Sequence, residues 1–102
     1  MTKYHAVKTT IDGIVFDSKA EAARYNTLKL LERNGDIKLL VIHPVYPLTV
    51  NGQKIGKYIA DFSYYENGRH IVEDVKGVKT PIYRLKKKLV KALYGVDILE
   101  TS

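Results

Sequence analysis

Residues 58–76 read YIADFSYYENGRHIVEDVK. Asn67-Gly68 sits between two runs rich in aromatic and β-branched residues, the pattern of two strands joined by a two-residue turn. The spacing predicts a long strand over Lys54–Tyr65 and a partner over Arg69–Lys76. With Asn67 and Gly68 as the central residues of a type I′ turn, Glu66 faces Arg69 and pairing runs outward. Ser63 then faces Val72, Asp61 faces Asp74, and Ile59 faces Lys76. Strand side chains alternate between faces, so Asp61, Asp74 and Lys76 share one face and Glu73 points to the other.

This register sets two aspartates directly opposite each other, with Cβ atoms about 5 Å apart. Like charges so placed are destabilising. Their neighbours Ile59, Ala60, Phe62, Val72 and Val75 are mostly apolar, so water would screen them poorly. A divalent cation would remove the conflict, because hard cations take carboxylate oxygens and leave positions for phosphate. The alternative is a pair of solvated carboxylates at a strand end.

Outward from the hairpin, the chain reads as a mixed α/β domain. Ile11–Phe16, with Asp12-Gly13 inside, is a short extended or turn segment. Ser18 and Glu21 have capping-box spacing, and Asn34-Gly35 is a stop, so a helix lies between. Its expected apolar stripe is Ala20, Ala23, Thr27, Leu30 and Leu31. Ile37–Ile42 reads as a buried strand, and Val45–Val50, broken by Pro47, as an edge strand or irregular. Thr80-Pro81 opens a second helix with Ile82, Leu85, Leu89 and Leu93 as its stripe, and Tyr94-Gly95 closes it. Val96–Leu99 is a last short strand. The expected architecture is a central mixed sheet, an antiparallel meander plus a final strand, flanked by two helices.

The composition bounds the function. At 102 residues the chain is a single domain with a modest core. It holds no cysteine, which excludes a disulfide framework and a thiolate metal site. No apolar run is long enough for a membrane span, and Met1–Thr10 lacks a signal-peptide core. The expected setting is cytoplasmic. Net charge is +6, and Val78–Lys91 alone carries six cations (Lys79, Arg84, Lys86, Lys87, Lys88 and Lys91) and no acid. Such a segment is either a solvated helix face or a track for a polyanion. Tyr83 lies among these cations, placed to stack on a base or to pack under lysine stems. Lys3, Tyr4, His5 and Lys8 make an N-terminal basic arm or are ordered by the fold. His5, His43 and His70 share no motif and are assigned to no metal.

Asp61 followed by Asp74-Val75-Lys76 resembles the bipartite motif of the PD-(D/E)XK, or restriction-endonuclease-like, nucleases. The helix, meander, helix and strand order is similar to the core of that superfamily. More narrowly, Lys3-Tyr4-His5-Ala6, Phe16-Asp17-Ser18-Lys19-Ala20-Glu21-Ala22, Tyr58-Ile59-Ala60-Asp61-Phe62 and Val72-Glu73-Asp74-Val75-Lys76-Gly77 resemble a family of small phage and prophage proteins likened to Holliday-junction resolvases. Ala60 stands where the superfamily motif has proline. The resemblance implies a metal-dependent DNA endonuclease acting on branched DNA, in a phage-infected or lysogenic bacterial host. It implies Asp61, Asp74, Glu21 and the Val75 carbonyl as ligands of Mg²⁺ or Mn²⁺. Lys76 would position or activate the attacking water, and Lys79, Arg84, Lys86, Lys87, Lys88, Lys91 and Tyr83 would hold DNA. Symmetric cutting of two strands would require a C2 homodimer.

Duller roles stand beside these. Glu21 could be only the capping partner of Ser18, and Lys76 only a neutralising ion pair. Two rival functions follow from the same residues. One is a non-catalytic nucleic-acid-binding accessory module of phage replication or packaging. The other is a protein whose basic helix docks on an acidic partner.

Overall fold

The computed structural model describes residues 7–76 and 78–102. Lys3, Tyr4 and His5 of the basic arm, and Gly77, lie outside the described residues. The elements are β1 (Thr9–Ile11), β2 (Ile14–Phe16), α1 (Lys19–Arg33), β3 (Lys38–Ile42), β4 (Val45–Val50), β5 (Gln53–Ile59), β6 (Phe62–Glu66), β7 (Arg69–Val75), α2 (Pro81–Tyr94) and β8 (Ile98–Thr101). The fold is a small α/β arrangement of a mixed sheet and two helices. No helix among the described residues is long and apolar enough to cross a membrane.

The β6–β7 hairpin forms in the register read from Asn67-Gly68. Glu66 pairs with Arg69, Ser63 with Val72, and Phe62 with Glu73. Asn67 and Gly68 have φ of +52° and +77°, the left-handed pair a type I′ turn requires. β6 and β7 lie at the centre of a four-stranded sheet ordered β3-β6-β7-β8. β7 and β8 run parallel, Val72 opposite Ile98, and α2 supplies the crossover a parallel pair needs.

The single long strand expected over Lys54–Tyr65 is two strands. Ile42 pairs with Phe62 and Val45 with Ile59, so one antiparallel ribbon runs from β3–β6 into β4–β5. It bends at His43-Pro44 and Ala60-Asp61. Two backbone bonds bridge the bend: the His43 N–H donates to the Asp61 carbonyl, and the Ala60 N–H to the Pro44 carbonyl, each at 3.0 Å. Proline has no N–H for the ladder, and His43 takes a φ of +56°, so regular pairing stops there. Ile59 therefore faces Val45, not Lys76, and the ribbon's outer half leaves the sheet.

Each sheet face has its own core. Phe62 and Tyr64 pack with Phe16, Ala22, Tyr25, Leu28 and Ile37 under α1. Val72 and Ile98 pack with Leu48, Tyr58, Ala60, Tyr83 and Val90 under α2 and the bent ribbon. The helix ends follow the expected capping. The Ser18 hydroxyl accepts the Glu21 N–H and the Thr80 hydroxyl the Tyr83 N–H, each at 3.1 Å.

The helix faces differ from expectation. α1 buries Glu21, Ala22, Tyr25 and Leu28, and leaves Ala20, Ala23, Thr27 and Leu30 outside. α2 buries Tyr83 and Val90, while Ile82 and Leu85 are 64% and 57% exposed. Apolar spacing identifies a helix, but the sheet decides which face it covers. β3 is an edge strand with Leu39 and Val41 exposed, not a buried one. It carries a bulge at Leu39, whose φ is +56°. The Glu32 carboxylate accepts the N–H of the next residue, Leu40, at 3.1 Å, satisfying a donor the bulge frees from the ladder.

Candidate functional site

The bend in the ribbon and the end of β7 bring Asp61 and Asp74 together. Each carboxylate is anchored through one oxygen. The Asp61 N–H donates to Asp74 Oδ1 at 2.8 Å, and the Val75 N–H donates to Asp61 Oδ2 at 2.7 Å. The register thus acts as a reciprocal clamp that holds the two carboxylates in place. The other oxygen of Asp74, Oδ2, is buried and has no hydrogen-bond partner among the described residues. Lys76 Nζ is the nearest cation, at 3.8 Å.

The cost of this arrangement appears in the acidities. Burial raises the Asp61 carboxyl to about 6, with Glu21 adding to the rise, against the Val75 N–H, Lys76 and His43. Burial likewise raises Asp74 to about 6, against Lys76 and the Asp61 N–H. Both groups therefore hold charge less readily than ordinary carboxylates, as expected where a missing counter-charge is to be supplied by a ligand.

Glu21 and His43 complete the cluster. Ser18 caps α1 through the Glu21 backbone, which leaves the Glu21 side chain free to turn inward. Its Oε1 lies 2.9 Å from His43 Nε2. Glu21, His43 and Asp61 each place one ligand atom within 4.8 Å of the others. Glu21 is thus a cap by position and a site residue by side chain. The Asp61 carbonyl holds His43 through its backbone N–H, and Phe16 flanks the ring at 5.9 Å between centroids.

His43 was not among the residues assigned from sequence. Its position opposite Asp61 follows from the β3–β6 register. That register contains the Leu39 bulge, which shifts the pairing by one residue and carries no sequence signal. His5 lies outside the described residues. His70 sits by the exposed hairpin turn beside Tyr65, away from the cluster.

The donor set suits a hard divalent cation. Three carboxylates and one imidazole surround the bend, and the unpartnered Asp74 oxygen lacks only a positive neighbour. Val75 reaches the cluster through its N–H. Glu73, next to Asp74, is equally buried but fully engaged. Arg24 grips it at 2.6 and 2.9 Å, Tyr64 donates at 2.7 Å and Thr101 at 3.2 Å. The alternation of β7 thus separates a closed carboxylate from an open one.

Lys76 is held on the α2 side. Its ammonium lies 4.4 Å from the centroid of the Tyr83 ring. The Tyr83 hydroxyl donates to Glu100 at 2.7 Å. Lys79 and Lys87 also reach Glu100, each at 3.1 Å, and these partners lower its carboxyl to about 2. Tyr83 is buried, so it braces Lys76 and is not placed to stack on a base. Lys91 pairs with Asp97 at 2.8 Å. The cation segment is therefore partly neutralised by β8 and the turn before it, acids that lie outside the segment in sequence. Arg84 and Lys88, with Lys79, Lys87 and Lys91, line a cavity of about 770 Å³ between α2 and β8. Lys86 faces a second cavity beside Lys76.

A family model described as a protein of unknown function (DUF1064) matches residues 1–99, and the chain belongs to that family. No curated protein and no solved structure gives a significant match.

Proposed function

We propose that this member of the DUF1064 family is a Mg²⁺- or Mn²⁺-dependent DNA endonuclease with a restriction-endonuclease-like core. The observation that carries the reading is the clamp. Asp61 and Asp74 are fixed through one oxygen each, and Asp74 Oδ2 is buried without a partner beside Lys76. The order of α1, β3, β6, β7, α2 and β8 supports the same reading.

Asp61, Asp74, Glu21 and His43 would hold the cation, with the Val75 carbonyl at the same strand end. When bound, the cation supplies Lewis acidity toward a phosphate oxygen and lowers the pKa of a water. Lys76 sits 3.8 Å from Asp74, so its ammonium stands beside the ligands and can orient a water or stabilise charge on the phosphate oxygens. Tyr83 and Glu100 fix the Lys76 stem, which keeps that ammonium from collapsing fully onto Asp74. Glu73 stays locked to Arg24 and stiffens β7 behind the site.

The substrate class we propose is branched DNA, with the protein acting in phage recombination or replication in the bacterial cytoplasm. Paired cuts would need two copies related by a two-fold axis. A second reading, a non-catalytic nucleic-acid-binding module, has the cation-lined cavity between α2 and β8 in its favour. It leaves the open Asp74 oxygen without a purpose.

The test is a cleavage assay of wild-type and Asp74→Ala protein on labelled four-way junction, flap, duplex and single-stranded DNA, in Mg²⁺, Mn²⁺ or EDTA. Metal-dependent cutting that Asp74→Ala abolishes is the expected result. Binding without cutting in either metal would favour the module. Neither binding nor cutting would send the search to protein partners.

A further inference from the structure

Beside the proposed site, on the α2 side, lies a cavity of about 330 Å³. Lys57, Tyr58, Lys76, Thr80 and Lys86 line it, with Tyr83 as its aromatic wall. These residues come from β5, the end of β7 and the first turns of α2. The bend in the ribbon brings them together.

Two independent features mark it as a binding site. Three ammonium groups converge on it, and no acid among the described residues lines it. In addition, Tyr58 is 4% exposed, and its hydroxyl is buried with no hydrogen-bond partner among the described residues. A buried hydroxyl without a partner is costly, and phenylalanine would fill the same space without that cost. A ligand that accepts a hydrogen bond would satisfy it. An acceptor that also attracts three ammonium groups is an anion with several oxygens.

We infer that this cavity binds a phosphate group of the nucleic-acid strand, next to the phosphate at Asp61 and Asp74. Tyr58 donates its hydroxyl to a phosphate oxygen, and Lys57 and Lys86 neutralise the charge. Lys76 stands between the two positions. The inference rests on the nuclease reading for the identity of the polyanion, but not for its chemistry. The phosphate is either an internal linkage or a 5′-terminal monophosphate.

The test separates the inference from the reading on which it rests. Affinity is measured in EDTA, where no cutting occurs, by fluorescence anisotropy with 5′-phosphorylated and 5′-hydroxyl oligonucleotides, single-stranded and duplex. Tyr58→Phe is expected to bind about tenfold more weakly with no loss in Tm, since it removes one bond to a charged group. Lys57→Ala and Lys86→Ala, both nearer the surface, should each reduce the salt dependence of binding by about one phosphate contact. A preference for the 5′-phosphate places the terminal group in the cavity, and equal binding places an internal linkage there. Wild-type affinity in Tyr58→Phe together with an unchanged salt slope in both lysine variants would overturn the inference, as would a wild-type protein that binds no oligonucleotide. If these variants lose affinity while wild type cuts in no metal, the phosphate site stands and the nuclease reading falls. If wild type cuts and all three variants bind normally, the reverse holds.

Discussion

Glu73 and Asp74 are consecutive in β7, and both are fully buried, yet they are treated in opposite ways. Glu73 meets a bidentate arginine, a tyrosine and a threonine, so its two oxygens are satisfied. Asp74 has one oxygen on a backbone N–H and the other on nothing closer than an ammonium at 3.8 Å. A buried carboxylate that is completed by the protein holds the fold together. One that is left incomplete destabilises the fold until something else completes it. The comparison teaches that burial alone does not mark a functional acid; the unmet oxygen does.

The sharpest way to break this contrast is to neutralise the open acid. Asp74→Asn should cut metal-dependent cleavage at least about 10³-fold, about 4 kcal/mol of barrier, while circular dichroism and Tm stay near wild type. Neutralising the closed acid should do the opposite. Glu73→Ala leaves Arg24 without its partner and should cost about 3 kcal/mol in denaturant unfolding. Any residual folded protein should still cut.

Third in size is the response to metal and pH. Asp61 and Asp74 have folded-state pKa values raised to about 6. Raised carboxyls favour the folded state below the ordinary carboxylate range, and that contribution is lost as pH rises through about 6. The EDTA-treated protein should therefore lose this contribution between about pH 4 and 7. Mn²⁺ or Mg²⁺ should restore stability above pH 6, by about 2.7 kcal/mol at a hundredfold excess over Kd, and little at pH 5. Differential scanning fluorimetry across pH reads this directly. Glu100, lowered to about 2, carries the opposite sign: its contribution is present at neutral pH and lost as pH falls through that value.

The smallest effect should be that of the brace. Tyr83→Phe removes the hydroxyl that Glu100 accepts and should cost about 1 kcal/mol of stability. A drop in kcat larger than the drop in Tm implies would show that Lys76 depends on the tyrosine for its place.

What the sequence made legible was local. Asn67-Gly68 fixed a turn, the turn fixed a register, and the register put Asp61 near Asp74 and separated Glu73 from both. Ser18, Thr80, Pro81 and Gly95 marked helix ends because capping is decided within one turn of chain. The rest depended on distant partners. The exposed Ile82 and Leu85 looked like a core stripe because spacing does not say which face meets the sheet. Glu100 and Asp97 neutralise lysines from outside the basic segment, so counting charges along the chain overstated that surface. His43 was hidden behind a bulge and a bend that no turn residue announces.

The hairpin turns also have a consequence for how the site is assembled in time. Asp61 and Asp74 are joined by a two-residue turn, so the contact between them closes a short loop at small entropic cost. Hairpins of this kind form in about 1–10 μs. β8 can pair with β7 only after α2 has crossed over, which is a longer and slower closure. The nascent chain thus meets its most unfavourable contact, two carboxylates side by side, before Glu100 and Thr101 arrive to fasten β7 and its neighbours. Divalent cation present during refolding should accelerate the later steps, because it would stabilise the one pair of groups that the early hairpin forces together.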